Sequence, residues 1–270
     1  MNTPIRQTCT AATISLIFGI LSWFVLPFIG AVVAIIAGHM AKGEIRRSQG
    51  ALDGEGLATA GLILGYVHVA VFLLMLAGGN EWLIAHAALW PVGPQQLSRY
   101  SDGTLVQVGF HWWQLLSYAF LHEGWQHIGF NMLALFMFGG PVERLLGVRH
   151  FIFYYLFCAL VAAVAQLLVV HFFSHDFLPT LGASGAIFGV LLAFGMMYPQ
   201  ARIISLYMPI PIPAWIAVIG YMVLELFFGV TGRQAGVAHF AHLGGAVGGF
   251  VLLQYWRGKF PLKPKRMLMR

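Results

Sequence analysis

Three short stretches of the sequence carry hydroxyl, imidazole and amide side chains within runs that are otherwise apolar. They read LHEGWQHIGFNM, LGASGAIFG and VAHFAHLGGAVGG, and their polar members include His122, His127, Asn131, Ser184, His239 and His242. Ionisable groups are costly to place among apolar residues, so they mark candidate functional sites. A serine hydroxyl beside a histidine that accepts its proton is a nucleophile for acyl transfer.

The same stretches contain features that would bring these groups together. His127 and Asn131 are four residues apart and share one face of a helix. Ser184 is predicted to open a helix, where backbone N–H groups lack intrahelical partners and can meet an anion. The segment Gly245–Gly249 is a GxxxG face, and small residues allow two membrane helices to approach closely. We therefore expect the serine to reach His242 across two helices.

The composition indicates which solvent surrounds these helices. Hydrophobic residues make up 59% of the 270 residues and charged residues only 9%, whereas soluble proteins carry roughly 25% charged residues. Lipid must therefore solvate most of the surface. The net charge of +6 does not indicate a nucleic-acid partner, because the basic residues lie at the edges of apolar runs rather than in one patch. The two cysteines, Cys9 and Cys158, form neither a disulfide framework nor a CxxC metal pattern.

Several uncharged stretches are long enough to span a bilayer as helices. They lie at 7–41, 56–80, 124–142, 151–175, 177–201, 203–224 and 234–256. Prolines and glycines interrupt some of them and set the expected helix ends. The helices expected on that basis run from Ser184 to about Tyr198 and from about Pro213 to Gly229, and the second stretch gives one near 59–78.

The first stretch is too long for one straight helix. Pro27 and Gly30 near its middle predict a hairpin of two helices, about 11–26 and 28–41, with one kinked span as the alternative. The chain then crosses the membrane eight times, or seven times without the hairpin.

Charge placement predicts the orientation of these crossings. With the N-terminus inside and the hairpin formed, all of the 15 lysine and arginine residues except Arg99 and Arg233 fall on one side. Lysine and arginine favour the cytoplasmic side, so the C-terminus is expected to be cytoplasmic. The predicted outer loop from about Gly79 to Trp113 contains Trp82, Trp90, Trp112 and Trp113. Tryptophan prefers the membrane interface, so this loop is expected to lie along the lipid headgroups.

Taken in chain order, these motifs resemble the rhomboid family of intramembrane serine proteases. The family's H-x3-N motif matches His127 and Asn131, with a further family histidine at His122. Its GxSG, AHxxG and GGxxE motifs match 182–185, 241–245 and 139–143. Each motif alone is weak, whereas all of them in family order over about 108–257 are specific. Residues 8–75 resemble a small bacterial membrane domain of unknown function.

Two positions depart from the family pattern. The outer loop reads Trp113-Gln114 where the family often has Trp-Arg, so the tethering of that loop is expected to differ. Phe188 replaces a tyrosine one turn after the serine; it can stack on the histidine but offers no hydroxyl. Neither change removes a reacting group.

The resemblance implies an all-α polytopic membrane protein with a six-helix rhomboid-like core behind an N-terminal helical hairpin. The expected segments are 1–58 for the hairpin and its connector, 59–257 for the core, and 258–270 for a basic cytoplasmic tail. The implied activity is serine endopeptidase cleavage of transmembrane protein substrates in the bilayer of a plasma membrane, with the active site open to the outer face. No cofactor and no metal are expected, and the oligomeric state is not predicted.

The resemblance also implies roles for individual residues. Ser184 and His242 are the catalytic pair, a dyad because the predicted spans contain no aspartate to orient the histidine. His127 and Asn131, with the Ser184 N–H, hold the oxyanion. The supporting residues are His122, Phe188, His239 and Gly245.

Structural alternatives stand beside these roles. His239 has a packing or local hydrogen-bonding role as its alternative, and His122 a role in supporting the outer loop. Helix 213–229 is the expected lateral gate, with Glu225 holding it near the outer surface. His122 and His127 do not form an HExxH zinc motif, because they are five residues apart rather than four.

Two other kinds of function compete with the protease hypothesis. A catalytically inactive rhomboid-like chaperone or escort would be expected to lack the serine or the histidine. A transporter that uses the histidines as a proton relay would be expected to show internal repeats with matched broken helices.

Overall fold

The computed structural model describes residues 7–22, 29–204, 210–232 and 238–261, and helices make up most of them. In chain order they are α1 Thr10–Leu21, α2 Ile29–Arg47, α3 Glu55–Ala87, α4 Gln114–Ser117, α5 Gly124–Ala134, α6 Gly140–Leu146, α7 Val148–Val169, α8 Ser184–Met197, α9 Ala214–Thr231 and α10 His239–Trp256. The predictions that involve Arg6, Pro27, Pro209, Arg233 and the tail from residue 262 fall outside the described residues.

The chain divides into two compact units, of which the first comprises Met1–Trp82 and Gly124–Met132. Within it, α1 and α2 pack against each other. The Ser15 hydroxyl donates to the Ala34 carbonyl at 2.7 Å, and the Cys9 thiol donates to Glu44 at 3.2 Å. Because the contacted residue moves back along α2 from Glu44 to Ala34 as the chain advances from Cys9 to Ser15, the two helices run antiparallel. The number of membrane crossings in this region stays a prediction.

The second unit comprises Leu83–Glu123 and Leu133–Arg270 and holds the largest buried core. Helix α10 packs against α7, α8 and α9, and α8 also packs against α7 and α9. Two tyrosine hydroxyls in this core donate to helix carbonyls. Tyr154 reaches Gly189 and Tyr118 reaches Ala159, each at 2.8 Å. These bonds fix α7 against α8 and against the segment before α5.

Two helices differ from their predicted extents. Helix α3 continues to Ala87, nine residues beyond the predicted end, because two glycines cost only about 1 kcal/mol each and no proline stops the helix before Pro91. The helix that begins at Gly124 contains a π-helical turn, Leu135–Gly139. Pro141 follows that turn, and a proline lacks the N–H needed to continue regular helical bonding.

The outer loop is shorter than predicted, because α3 continues to Ala87, and part of it forms regular β-structure. It contains an antiparallel hairpin of β3 Gln96–Arg99 and β4 Leu105–Val108, which the all-α prediction did not include. Two further strand pairs are short. They are β1 Gln7–Thr8 with β2 Leu52–Asp53, and β5 Arg202–Ile203 with β6 Ile212–Pro213.

The loop's aromatic and amide residues divide between surface and interior. Trp112 is 75% exposed, in keeping with the predicted interfacial position. Trp90, however, is buried within the protein and donates its ring N–H to the Ile84 carbonyl, and the interfacial position of the loop stays a prediction. Gln114 is fully buried, and its side-chain oxygen accepts from the backbone N–H groups of Trp90 and His111. Gln114 thus tethers the loop through its amide.

Only two helices of the described residues are long and apolar enough to cross a membrane by length and composition. They are Val148–Ser174, which is α7 with a terminal π-helical turn, and Ala214–Thr231. Helix α8 has 14 residues, which corresponds to about 21 Å against a hydrocarbon core of about 30 Å. The eight predicted crossings and the six-helix core therefore stay predictions.

Candidate active site

Ser184 lies at the first position of α8, where the sequence predicts the helix to begin. The preceding turn depends on Gly182, whose φ of +126° is a conformation that side chains other than glycine rarely allow. The Gly182 N–H donates to the Tyr118 carbonyl at 3.0 Å, which fixes this turn. The turn therefore presents the serine at a helix N-terminus, where backbone N–H groups are available to an anion.

A glycine contact brings α8 and α10 together. A Cβ added to Gly245 would collide with the carbonyl oxygen of Gly185. One turn along α8, a Cβ on Gly189 would lie 3.0 Å from the Gly245 carbonyl oxygen. The two backbones are therefore in direct contact, which is the close approach that the GxxxG pattern predicts.

The Ser184 hydroxyl and the His242 imidazole meet at this contact. Ser184 Oγ lies 2.6 Å from His242 Nε2, within the range of a hydrogen bond between a nucleophile and its base. His242 is only 7% exposed. The Phe188 ring lies parallel to the imidazole, with centroids 4.4 Å apart and an interplanar angle of 3°. The phenyl ring of Phe188 thus packs against one face of the His242 imidazole, as expected from its position one turn after Ser184.

A carboxylate of α9, expected only to hold that helix near the outer surface, also contacts His242. Glu225 Oε2 of α9 lies 2.9 Å from His242 Nδ1 and 2.7 Å from His239 Nδ1. The predicted dyad rests on the absence of aspartate from the predicted spans and takes no account of Glu225, and it stays a prediction. Glu225 is the only charged residue of α9, and a lone carboxylate in an apolar helix was the available signal.

The remaining predicted residues have more limited descriptions. His127 and Asn131 lie on α5 within the first unit, whereas Ser184 and His242 belong to the second. Asn131 is buried, and its amide nitrogen has no hydrogen-bond partner among the residues that the structure describes. His122 lies half-buried just before α5. The roles of these three residues stay predictions.

The profile of the Rhomboid domain matches residues 109–258. This chain belongs to the rhomboid family. The match contains Ser184, Glu225, His239 and His242. Residues 11–75 match a domain of unknown function, DUF4190, in agreement with the resemblance of the N-terminal region.

Several relatives of this rhomboid chain carry the word protease in their names. Rhomboid protease GluP of Bacillus subtilis is 31% identical over 77% of this chain and 36% of its own length. Rhomboid protease GlpG of Pectobacterium atrosepticum is 35% identical over 37% of this chain and 31% of its own length. Rhomboid protein 1, mitochondrial, of Saccharomyces cerevisiae is 34% identical over 50% of this chain and 39% of its own length. The chain thus spans less than half the length of each of these relatives.

Proposed function

We propose that this rhomboid chain is an intramembrane serine endopeptidase that hydrolyses peptide bonds in or near the transmembrane helices of other membrane proteins. The observation that carries the proposal is the 2.6 Å distance between Ser184 Oγ and His242 Nε2 at the N-terminus of α8. The named rhomboid proteases among its relatives support the same activity.

The reaction follows from the positions of these atoms. Ser184 Oγ attacks the scissile carbonyl carbon while His242 Nε2 takes the hydroxyl proton. When the C–N bond breaks, the same nitrogen returns that proton to the leaving amine. A water molecule, whose proton also passes to His242, then hydrolyses the acyl-serine ester and restores the hydroxyl.

Negative charge on the carbonyl oxygen needs donors in the transition state. The Ser184 N–H is one, because the first N–H groups of a helix have no intrahelical acceptor. His127 and Asn131 complete the set in this proposal, and the buried amide nitrogen of Asn131, which has no hydrogen-bond partner in the described part of the chain, supports that role. Removal of one such donor typically costs about 10²–10³ in rate.

The substrate must expose a carbonyl that a helix would normally bond to its own backbone. We therefore expect substrates with glycine, serine or other helix-weakening residues near the outer end of a span. Helix α9 is the proposed lateral gate, and water reaches the site from the outer face. The C-terminus is cytoplasmic in the plasma membrane, which a reporter fused after residue 270 tests.

The decisive experiment is labelling of the full chain in detergent with a serine-directed fluorophosphonate. We expect labelling of the wild type, none in Ser184→Ala, and a decrease of at least about 10³-fold in His242→Ala. Asn131→Ala should slow labelling by about 10²-fold. The exposed Ser174 at the end of α7 offers a matched control, and Ser174→Ala should label at the wild-type rate.

The inactive chaperone or escort is the alternative to this proposal. It predicts equal labelling of the wild type and Ser184→Ala, together with unchanged binding of client membrane proteins. Equal labelling would remove the protease proposal.

A further inference from the structure

Glu225 joins two histidines of the neighbouring helix through one oxygen. Its Oε2 lies 2.7 Å from His239 Nδ1 and 2.9 Å from His242 Nδ1. The Glu225 side chain is 16% exposed, and those of His239 and His242 are 6% and 9% exposed. A carboxylate that is largely shielded from water needs partners, and these two rings supply them.

The positions of the protons determine which atoms donate and which accept in this arrangement. An ionised carboxylate only accepts hydrogen bonds, so each Nδ1 that contacts it must carry a proton. A neutral imidazole with a proton on Nδ1 has a lone pair on Nε2. In His242 that nitrogen faces Ser184 Oγ. The carboxylate thus selects the one neutral tautomer that can accept the proton of the serine.

We infer, on the basis of the proposed function, that Glu225 is a positioning residue of the active site and that His239 holds its carboxylate in place. Glu225 fixes the tautomer and orientation of His242 and stabilises the positive charge that the ring acquires when Ser184 attacks. The site then contains a hydrogen-bonded chain from Ser184 through His242 to Glu225, which we call the Ser–His–Glu relay, and His239 is a second partner of the carboxylate. Because Glu225 belongs to α9 and His242 to α10, the relay is complete only when these two helices are in contact.

The distances favour hydrogen bonding over metal ligation. The donor atoms of Glu225, His239 and His242 lie within 4.8 Å of one another, which could accommodate an ion. Ligand atoms about 2.0–2.1 Å from a tetrahedral zinc ion stand about 3.3 Å apart. The two oxygen–nitrogen distances of 2.7 and 2.9 Å are shorter than that and match charge-assisted hydrogen bonds.

Substitution of Glu225 with isosteric and shorter side chains tests the inference. In Glu225→Gln the shape remains but the negative charge is lost, and an amide NH₂ group turned toward His242 stabilises the Nε2–H tautomer, which cannot accept the serine proton. We expect fluorophosphonate labelling to slow by about 10²-fold, a smaller loss than the 10⁴-fold seen for the third member of a buried triad, because Glu225 is partly exposed. Glu225→Asp should recover part of that rate. His239→Gln, which keeps a donor, should lose less than His239→Leu.

Two measurements separate positioning from a merely structural role. In cleavage of a transmembrane substrate, Glu225→Gln should lower kcat and leave KM within about twofold. Nitrogen NMR of histidine-labelled protein should show His242 with its proton on Nδ1 in the wild type and a shift toward the Nε2–H form in Glu225→Gln. Leu226→Ala, on the exposed side of the same helix, is the matched control and should match the wild type.

Each outcome has a distinct meaning. The inference would be overturned if Glu225→Gln had the labelling rate, the kcat and the His242 tautomer of the wild type. If Ser184→Ala were still not labelled in that case, the protease proposal would stand. Equal labelling of wild type and Ser184→Ala would overturn the protease proposal itself. Loss of labelling on chelation, restored by zinc in the wild type but not in Glu225→Gln, would replace the relay with a metal site.

Discussion

Helix α10 meets two neighbours in two different ways. Its contact with α8 is made by backbones, with Gly245 against Gly185, and within this fully described helix no large apolar side chain of α8 is exposed. Its contact with α9 includes the hydrogen bonds of His239 and His242 to the carboxylate of Glu225. Of the residues of α9, all described, only Ala214, Ala217 and Val218 near its start are buried.

This difference suits the two tasks that the proposed function assigns to the helices. The nucleophile and base need a fixed distance, which direct backbone contact between α8 and α10 supplies. A lateral gate needs a helix that can separate at low cost, and the second half of α9 offers few buried apolar contacts to lose. We therefore expect a glycine-to-alanine substitution to lower the labelling rate more at the α8–α10 contact than at the α9–α10 contact.

The largest effect is expected for Gly245→Ala. The new Cβ would collide with a backbone carbonyl of α8, which cannot rotate away as a side chain could. The helices must then separate, and a misplacement of about 1 Å can cost 10²-fold in rate. We expect at least about 10²-fold slower labelling and a lower melting temperature in detergent.

The matched control for this change is Gly220→Ala. The same atom added at Gly220 of α9 lies within 4 Å of no atom of the described residues beyond its own stretch of helix. That variant should label like the wild type and melt at the same or a slightly higher temperature, because alanine favours a helix over glycine. Wild-type labelling of Gly245→Ala would contradict the rigid contact between α8 and α10.

The α8–α10 contact was largely predictable from sequence, whereas the α9–α10 contact was not. Gly182 and the following serine indicated a helix start, and the GxxxG spacing indicated a face for close packing. Glu225 lies 14 residues before His239, on another helix, and sequence periodicity does not specify which faces of two helices meet. The length of α3 was missed for a different reason, because the predicted helix was confined to the uncharged stretch that ends before Glu81.

A smaller effect is expected for Phe188→Ala, which removes the α8 support of the His242 ring. The parallel rings at 4.4 Å correspond to an interaction of about 0.5–1.5 kcal/mol. Labelling should therefore slow by about tenfold at most, while Phe188→Tyr should retain the wild-type rate. Combining Phe188→Ala with Glu225→Gln tests whether α8 and α9 hold the same ring. If the two decreases in labelling rate multiply in the double variant, Phe188 and Glu225 support the ring independently. A double variant that labels as fast as Glu225→Gln would contradict a separate role for the phenyl ring.

The smallest effect is expected for Gly229→Ala, at the α9–α10 contact one turn after Glu225. Its Cβ would lie 3.1 Å from the Phe240 ring and 3.2 Å from the His239 Cβ. A shift of a few tenths of an ångström relieves both contacts, and the substitution gains about 0.5–1 kcal/mol of helix propensity. We expect labelling within about threefold of the wild type and little change in melting temperature, measured beside Gly245→Ala and Gly220→Ala. If Gly229→Ala abolishes labelling as Gly245→Ala does, α9 is held as rigidly as α8, and a gate at this helix cannot open by small separations.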